Sequence, residues 1–496
     1  MGEFVRLGWN RDDLTLERDF FGNVRLLTTT GRGFVAASDS LLVLAALRRA
    51  LNDSVNPHEE VLTARAAPSQ IAGQQLSPDT IIEEVRFVLP GTNIRIDIRQ
   101  LAVTEVGTTA AELLRSDAFV PGEVRDAAIS MTRTISALSC QNGWSSVLHL
   151  SGGLDSRAVY AAAVAAGKQQ DLRFISRLRS GDVTARDNVV ANRLATTWGT
   201  ARSSVDDVAE WRESRPEDGL RLWASGLAGV YDGLGPLGPR RRRRAEFELF
   251  GLGAGAHKGA WGWTDLNSLA ARAAKPGAVR DALSAQMAIA ARALGVDPED
   301  EGASEVYYFG FRNGLHSAAE HIGLHLTGVS PLQNVGFARR GHARTREGAF
   351  GGQGDDILAL TALLSPEAAV FEYDEPRHAW TLDDARDRQR DLGGPLRSAE
   401  IAPYTTYGSP DDIPQGPSRL SLTIAERAGY PDSANPTAAF EYAEANLDLL
   451  DGAVRETYRE VLANARWRLA KADGDIFGAE LPLSRLLMLG VFRPAG

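Results

Sequence analysis

The spacing of apolar and polar positions divides the chain into two textures. Up to about residue 105, short apolar runs are separated by Gly, Pro and Asp, which predicts a β-rich segment. Strands are expected over 24–28, 33–37 and Thr92–Asp97, and a helix opened by a Ser cap over 40–51. From about Val124, helical stretches alternate with short apolar strands, the pattern of a parallel sheet with crossover helices. Its strand candidates are 145–150, 172–176 and 247–250. Roughly the last 180 residues read as helical, with Pro/Gly-rich interruptions near 389–418 and 430–436.

The 496 residues suit two or three domains of about 150 residues each. Hydrophobic residues at 44% and charged residues at 24% exclude a fibrous or wholly disordered chain. No apolar run reaches the roughly 18–20 residues that span a bilayer. The start lacks the basic-then-apolar layout of a signal peptide, and Arg6 stands where a myristoylation pattern needs Ser or Thr. The expectation is a cytoplasmic protein with no membrane partner. A single cysteine, Cys140, excludes a disulfide framework and a Cys-rich zinc site, and reads as a small buried residue. The net charge of −10 argues against a nucleic-acid partner. Five consecutive arginines, Arg240 to Arg244, form either a solvated loop or a grip on an acidic partner or phosphates.

Candidate chemistry concentrates at Ser151-Gly152-Gly153-Leu154-Asp155-Ser156, set between an apolar strand and an Ala/Val-rich helix. Glycines let backbone wrap an anion, and the helix N-terminus adds unpaired N–H groups and a positive dipole end. Ser151 and Ser156 add hydroxyl donors. Asp155 would repel phosphate directly but suits a Mg²⁺ ion bridging phosphates. No Gly-Lys-Ser/Thr follows, so the Walker pattern is excluded.

This stretch resembles the PP-loop of the ATP pyrophosphatases. The chain as a whole resembles the asparagine synthetase family, which includes β-lactam synthetases and the macrolactam synthetases that close lasso peptides. Further matches are Arg18-Asp19-Phe20-Phe21-Gly22, similar to the Arg-Asp-x-x-Gly turn of the family's glutaminase domain, and the strand-like runs 34–39 and 88–92 after it. Residues 172–176 fall where the family contacts adenine, 187–191 resemble its Asp-x-x-x-Ala helix, and Ser330-Pro331-Leu332 resembles its Pro-Phe/Leu-Leu-Asp segment, with Gln333 and Asn334 replacing Leu-Asp. The resemblance implies ATP and Mg²⁺ as cofactors, cleavage of ATP between α- and β-phosphates, and an acyl-adenylate attacked by an amine. It places Ser151, Gly152, Gly153, Leu154, Asp155, Ser156, Gly251, Gly253 and Arg312 on the nucleotide, with Asp155 on the metal.

Two departures shape the expectation. The family's glutaminase uses an N-terminal cysteine, whereas residue 2 is Gly2, and the Arg-Asp-x-x-Gly turn arrives at residue 18. The first half of that domain therefore reads as absent, and glutamine hydrolysis with it. The family's second glycine loop carries an Asp-Glu pair where this chain has Gly255 and Ala256, followed by His257 and Lys258. Either His257 and Lys258 neutralise pyrophosphate directly, with Lys258 as a point charge, or the site has little or no adenylation activity. General-base candidates are Glu305, His316 and Glu320 on one helix spanning about 305–325. On that helix His321 and His325 are spaced like zinc ligands but lack a third partner. Tyr307-Tyr308-Phe309 and Trp261-Gly262-Trp263 read as core or as a lining for an apolar or peptide substrate.

The expectation is an α/β fold: a truncated, inactive glutaminase-like β-rich domain over 1–123 and a PP-loop synthetase domain with a helical C-terminal part over 124–496. The expected activity is ATP-dependent, glutamine-independent amide formation on a small-molecule or peptide substrate carrying a carboxylate and an amine, with macrolactam closure of a lasso-type peptide as the specific case and Asp155, Lys258 and Glu320 as catalytic groups. The alternative is a degenerate, non-catalytic homologue acting as a scaffold, paired with a protein that completes the N-terminal domain.

Overall fold

The structure, a computed structural model, describes residues 5–115, 122–141, 143–176, 182–203, 219–233, 246–316, 327–348, 354–375, 380–406, 419–431, 436–471 and 479–494. The N-terminal strands are β1 (Val5–Trp9), β2 (Asp13–Arg18), β3 (Leu27–Gly31), β4 (Phe34–Ser38), β5 (Val85–Phe87), β6 (Thr92–Asp97) and β7 (Ala102–Gly107). They form two antiparallel sheets, ordered β1-β2-β6-β7 and β4-β3-β5. Period-2 alternation places Leu16, Ile94 and Ile96 on the buried face of the first sheet, with Leu16 opposite Ile94. Ser40 caps the helix Leu41–Ala50 by accepting the Val43 N–H at 3.3 Å, as its sequence implies.

The strand expected at 24–28 lies three residues later, and the cause is local. The Asp19 carboxylate accepts the N–H groups of Asn23 and Val24 at 2.9 Å each, while the Arg18 guanidinium donates to the Val24 carbonyl at 3.1 Å. These backbone groups are committed to the turn, so ladder pairing starts at Leu27.

A third sheet contains β8 (Ser145–His149), β9 (Leu172–Ile175), β10 (Ala201–Arg202), β11 (Glu246–Leu249) and β12 (Thr327–Val329), all parallel and ordered β10-β9-β8-β11-β12. Counted by chain order within this sheet, the strands lie 3-2-1-4-5, so the direction of winding reverses between β8 and β11. The helices Glu123–Ser139, Leu154–Ala165 and Asp355–Leu364 pack beside one another in the core of this layer. Among the described residues no helix is long and apolar enough to cross a membrane.

Two main hydrophobic cores result. One contains residues from 124 to 195, 249 to 254 and 332 to 385. The other draws on both ends of the chain, from Leu27 to Ala111 and again from Ala425 to Val491, with 220–231 and 266–315 between them. The C-terminal helices therefore pack against the N-terminal β-rich segment. A buried ionic cluster reinforces the join: Asp232 pairs with Arg65 and, at 2.8 Å, with Arg485, whose guanidinium also donates to the Ser69 carbonyl at 2.8 Å.

Candidate functional site

In open α/β sheets, ligands bind outside the carboxyl ends of the strands where the winding reverses. Here β8 and β11 meet at that reversal, and each runs into a glycine-rich loop, 151–156 and 251–258 respectively. His149 at the end of β8 contacts Glu248 of β11 through Nε2 and Oε2 at 2.5 Å and stacks on Phe250 with ring centroids 4.4 Å apart.

The first loop is closed by its own side chains. Ser156 Oγ accepts the Ser151 N–H at 3.0 Å and lies 2.9 Å from Ser151 Oγ, while the Gly152 N–H donates to the Asp187 carboxylate. A Cβ at Gly152 would lie 3.0 Å from the Asp374 Cβ and 3.2 Å from the Val190 Cβ, so only glycine fits without displacing both neighbours. Gly153 is the N-cap of the helix Leu154–Ala165 and brings no side-chain acceptor to its first turn. Beneath the loop Arg157 is fully buried, donating to the carbonyls of Phe371 and Glu372 at 2.6 Å and of Gly152 at 3.2 Å, with its guanidinium 3.6 Å from the Tyr373 ring centroid. Burial, and secondarily the Asp374 charge, hold the Asp187 carboxyl above the usual range against the lowering effect of its bond from Gly152.

The second loop lies directly on the first. A Cβ at Gly251 would stand 2.8 Å from both the Asp155 carbonyl carbon and the Ser156 nitrogen. Gly253, with φ of +108°, packs on Gln333, whose amide exchanges hydrogen bonds with Asn23 at 2.7 and 3.3 Å. That pair connects the N-terminal Arg-Asp-x-x-Gly turn to the loop. The short helix Gly255–Lys258 follows, and Lys258 forms an ion pair with Asp155.

His257 departs from expectation. It is buried against Phe337, ring centroids 3.9 Å apart, and burial pushes its pKa down to about 4. A neutral imidazole facing the core is not placed to neutralise an anion, and Lys258 is the basic side chain of the pair that reaches the loop surface.

Glu305 also departs from expectation. Its buried carboxylate accepts the N–H groups of Ala260 at 2.6 Å, Trp261 and Gly262 at 2.7 Å, and Trp263 at 3.3 Å. It pins the turn behind Lys258 and is not a free base. The expected single helix over 305–325 is interrupted at Arg312, which leaves the helical region with φ of −120°; helical residues resume at 313–316, and 317–325 lie outside the described residues. Arg312 donates to the Gln70 carbonyl at 3.2 Å and the Gln74 side chain at 3.1 Å, and stacks over Tyr231. His316 Nδ1 lies 3.0 Å from the Tyr231 hydroxyl. The structure thus brings together Ser151, Gly152, Gly153, Leu154, Asp155, Ser156, Gly251, Gly253 and Lys258, and engages Arg312 with the N-terminal segment. Glu320, His321, His325 and the arginine run 240–244 lie outside the described residues. Cys140 is exposed, not buried.

Sequence reasoning missed the supports: buried Arg157 under the loop, the 371–374 turn that receives it, and the clamp role of Glu305. Arg157 follows the glycine motif directly and was visible there, whereas the 371–374 turn carries no local signal. Among the described residues no three His, Cys, Asp or Glu side chains are grouped to hold a metal. No protein-family model matches this chain, and no curated protein matches it.

Proposed function

We propose that this chain is an ATP-dependent, glutamine-independent amide-forming ligase with a PP-loop-type nucleotide site, acting in the cytoplasm on a substrate that carries a carboxylate and an amine. Closure of a lasso-type macrolactam is the specific case we favour. The observation that carries the reading is the meeting of two glycine loops at the winding reversal of a parallel sheet, with Asp155 and Lys258 paired between them.

The loop backbone and the first turn of the helix Leu154–Ala165 would hold the phosphates, with Lys258 opposite them. A substrate carboxylate oxygen attacks the α-phosphorus. The bond from that phosphorus to the oxygen bridging to the β-phosphorus breaks, and pyrophosphate leaves. The amine nitrogen then attacks the acyl carbon, loses its proton to a base, and AMP leaves with the former carboxylate oxygen. Glu320 and His316 remain the base candidates, because Glu305 is committed to four amides.

The resemblance also implies Mg²⁺, and the donor set does not fit it. Asp155 is the one carboxylate in the 151–156 and 251–258 loops, and Lys258 is paired with it. The test is carboxylate-dependent exchange of labelled pyrophosphate into ATP, with candidate amino acids and peptides. Exchange that requires a carboxylate substrate supports adenylation.

The same ion pair favours a second reading, a non-catalytic scaffold whose metal-ligand carboxylate is neutralised. In that case β1, whose Leu7 and Trp9 are exposed at the end of the four-stranded sheet, is where a protein completing the N-terminal domain would dock. A folded chain that binds nucleotide yet exchanges no pyrophosphate with any carboxylate would favour it.

A further inference from the structure

We propose, on the reading of the two loops as a nucleotide site, that Lys258 does the work of a divalent cation there, and that Asp155 is its tether and not a metal ligand. Polyphosphate binding would then be insensitive to divalent metal.

The geometry assigns each part. Within the helix Gly255–Lys258, Ala256 and His257 are buried, so Lys258 is the charged side chain of the element that reaches the loop surface. Its ammonium is paired with the Asp155 carboxylate, and both side chains are about one-third exposed, at 36% and 34%, hence open to a ligand. An ammonium has three donors. One serves Asp155, and two remain for phosphate oxygens. The ammonium engages Oδ1 of Asp155, which leaves Oδ2 as the one charged oxygen of the two loops for a divalent cation, and Gly255 and Ala256 offer no second carboxylate.

The other cation of the motif is not available. Arg157 is buried, with its guanidinium on the carbonyls of Phe371, Glu372 and Gly152. Lys258, by contrast, is aimed from both sides. Asp155 holds its head, and behind it Gly259, with φ of +74°, leads into the turn whose four amides Glu305 binds. Glu305 is thus a positioning residue for Lys258, acting through backbone.

The experiment is calorimetric titration of the full chain with inorganic pyrophosphate and with α,β-methylene-ATP, each in excess Mg²⁺ and in EDTA. The expected result is affinity that changes by less than about threefold between the two conditions, a loss of at least about tenfold in both for Lys258→Met, partial recovery for Lys258→Arg, and a smaller loss for Asp155→Asn than for Lys258→Met. Circular dichroism of each variant establishes that it is folded. Binding that requires Mg²⁺, is abolished by Asp155→Asn and is unchanged in Lys258→Met overturns the proposal and leaves the nucleotide site standing. Absence of binding by folded wild type in both conditions overturns the nucleotide reading and this proposal together.

Discussion

The two glycine loops occupy equivalent places, each at the carboxyl end of a strand beside the winding reversal, yet they are stabilised in opposite ways. The 151–156 loop is locked from within by the Ser151–Ser156 contacts, and from below by Arg157 and Asp187. The 251–258 loop, whose first six residues are only Gly, Leu and Ala, carries no hydroxyl there to make such a lock, and borrows its shape from neighbours: Gln333 at Gly253, Tyr308 at Gly255, and the Glu305-bound turn beyond Gly259. A self-locked loop announces itself in sequence, because its residue types are dictated by one another. A borrowed loop announces little, because its determinants lie 50 to 80 positions away, at residues 305, 308 and 333.

The difference is broken most severely at Glu305. Glu305→Ala leaves four backbone amides without their charged acceptor and should destabilise the chain by about 4 kcal/mol, seen as a lower thermal midpoint. Hydrogen exchange should accelerate across 255–263 while 151–156 stays protected. Equal acceleration in both loops would contradict the borrowed-shape view.

Acid separates the loops next. His257 is buried near pKa 4 in the folded chain, against an ordinary value of 6.5. Between these values the unfolded chain binds the extra proton, so stability rises with pH across that window. The contribution, about 3 kcal/mol, is present in full above pH 6.5 and is lost as pH falls towards 4. His257→Phe should flatten the slope of denaturant stability against pH between 6.5 and 4; an unchanged slope would place the titrating group elsewhere.

Smaller effects sharpen the contact between the loops. Gly251→Ala drives a methyl to 2.8 Å from the Asp155 and Ser156 backbone, which should weaken nucleotide-analogue affinity about tenfold through a shift of one loop off the other. Ser156→Ala removes the acceptor of the Ser151 N–H and should cost about 1 kcal/mol in chemical denaturation, with the loss confined to the first loop's exchange rates.

The parallel sheet was legible because β8, β9 and β11 are short, carry apolar residues such as Val147, Leu148, Phe174 and Leu249, and are set between helices, and Thr92–Asp97 because its alternation is clean. The Ser40 cap was legible for the same local reason. What escaped was non-local. The hairpin of β1 and β2 was overlooked although Val5, Leu7 and Trp9 alternate with Arg6 and Gly8, since an exposed edge strand buries too little to stand out. The packing of Leu483 to Val491 against the N-terminal segment, and the Arg65–Asp232–Arg485 cluster with it, depend on residues hundreds of positions apart. Within the site, His257 and Lys258 look alike as basic neighbours, and only the direction each side chain takes from a four-residue helix separates a neutral core imidazole from an ammonium at the loop surface.

Whether the two loops form one phosphate site is decided by hydrogen–deuterium exchange of the full chain with and without saturating α,β-methylene-ATP. Slowed exchange in peptides covering both 151–156 and 251–258 is the predicted result, and slowing in only one of them, or in neither, would contradict it.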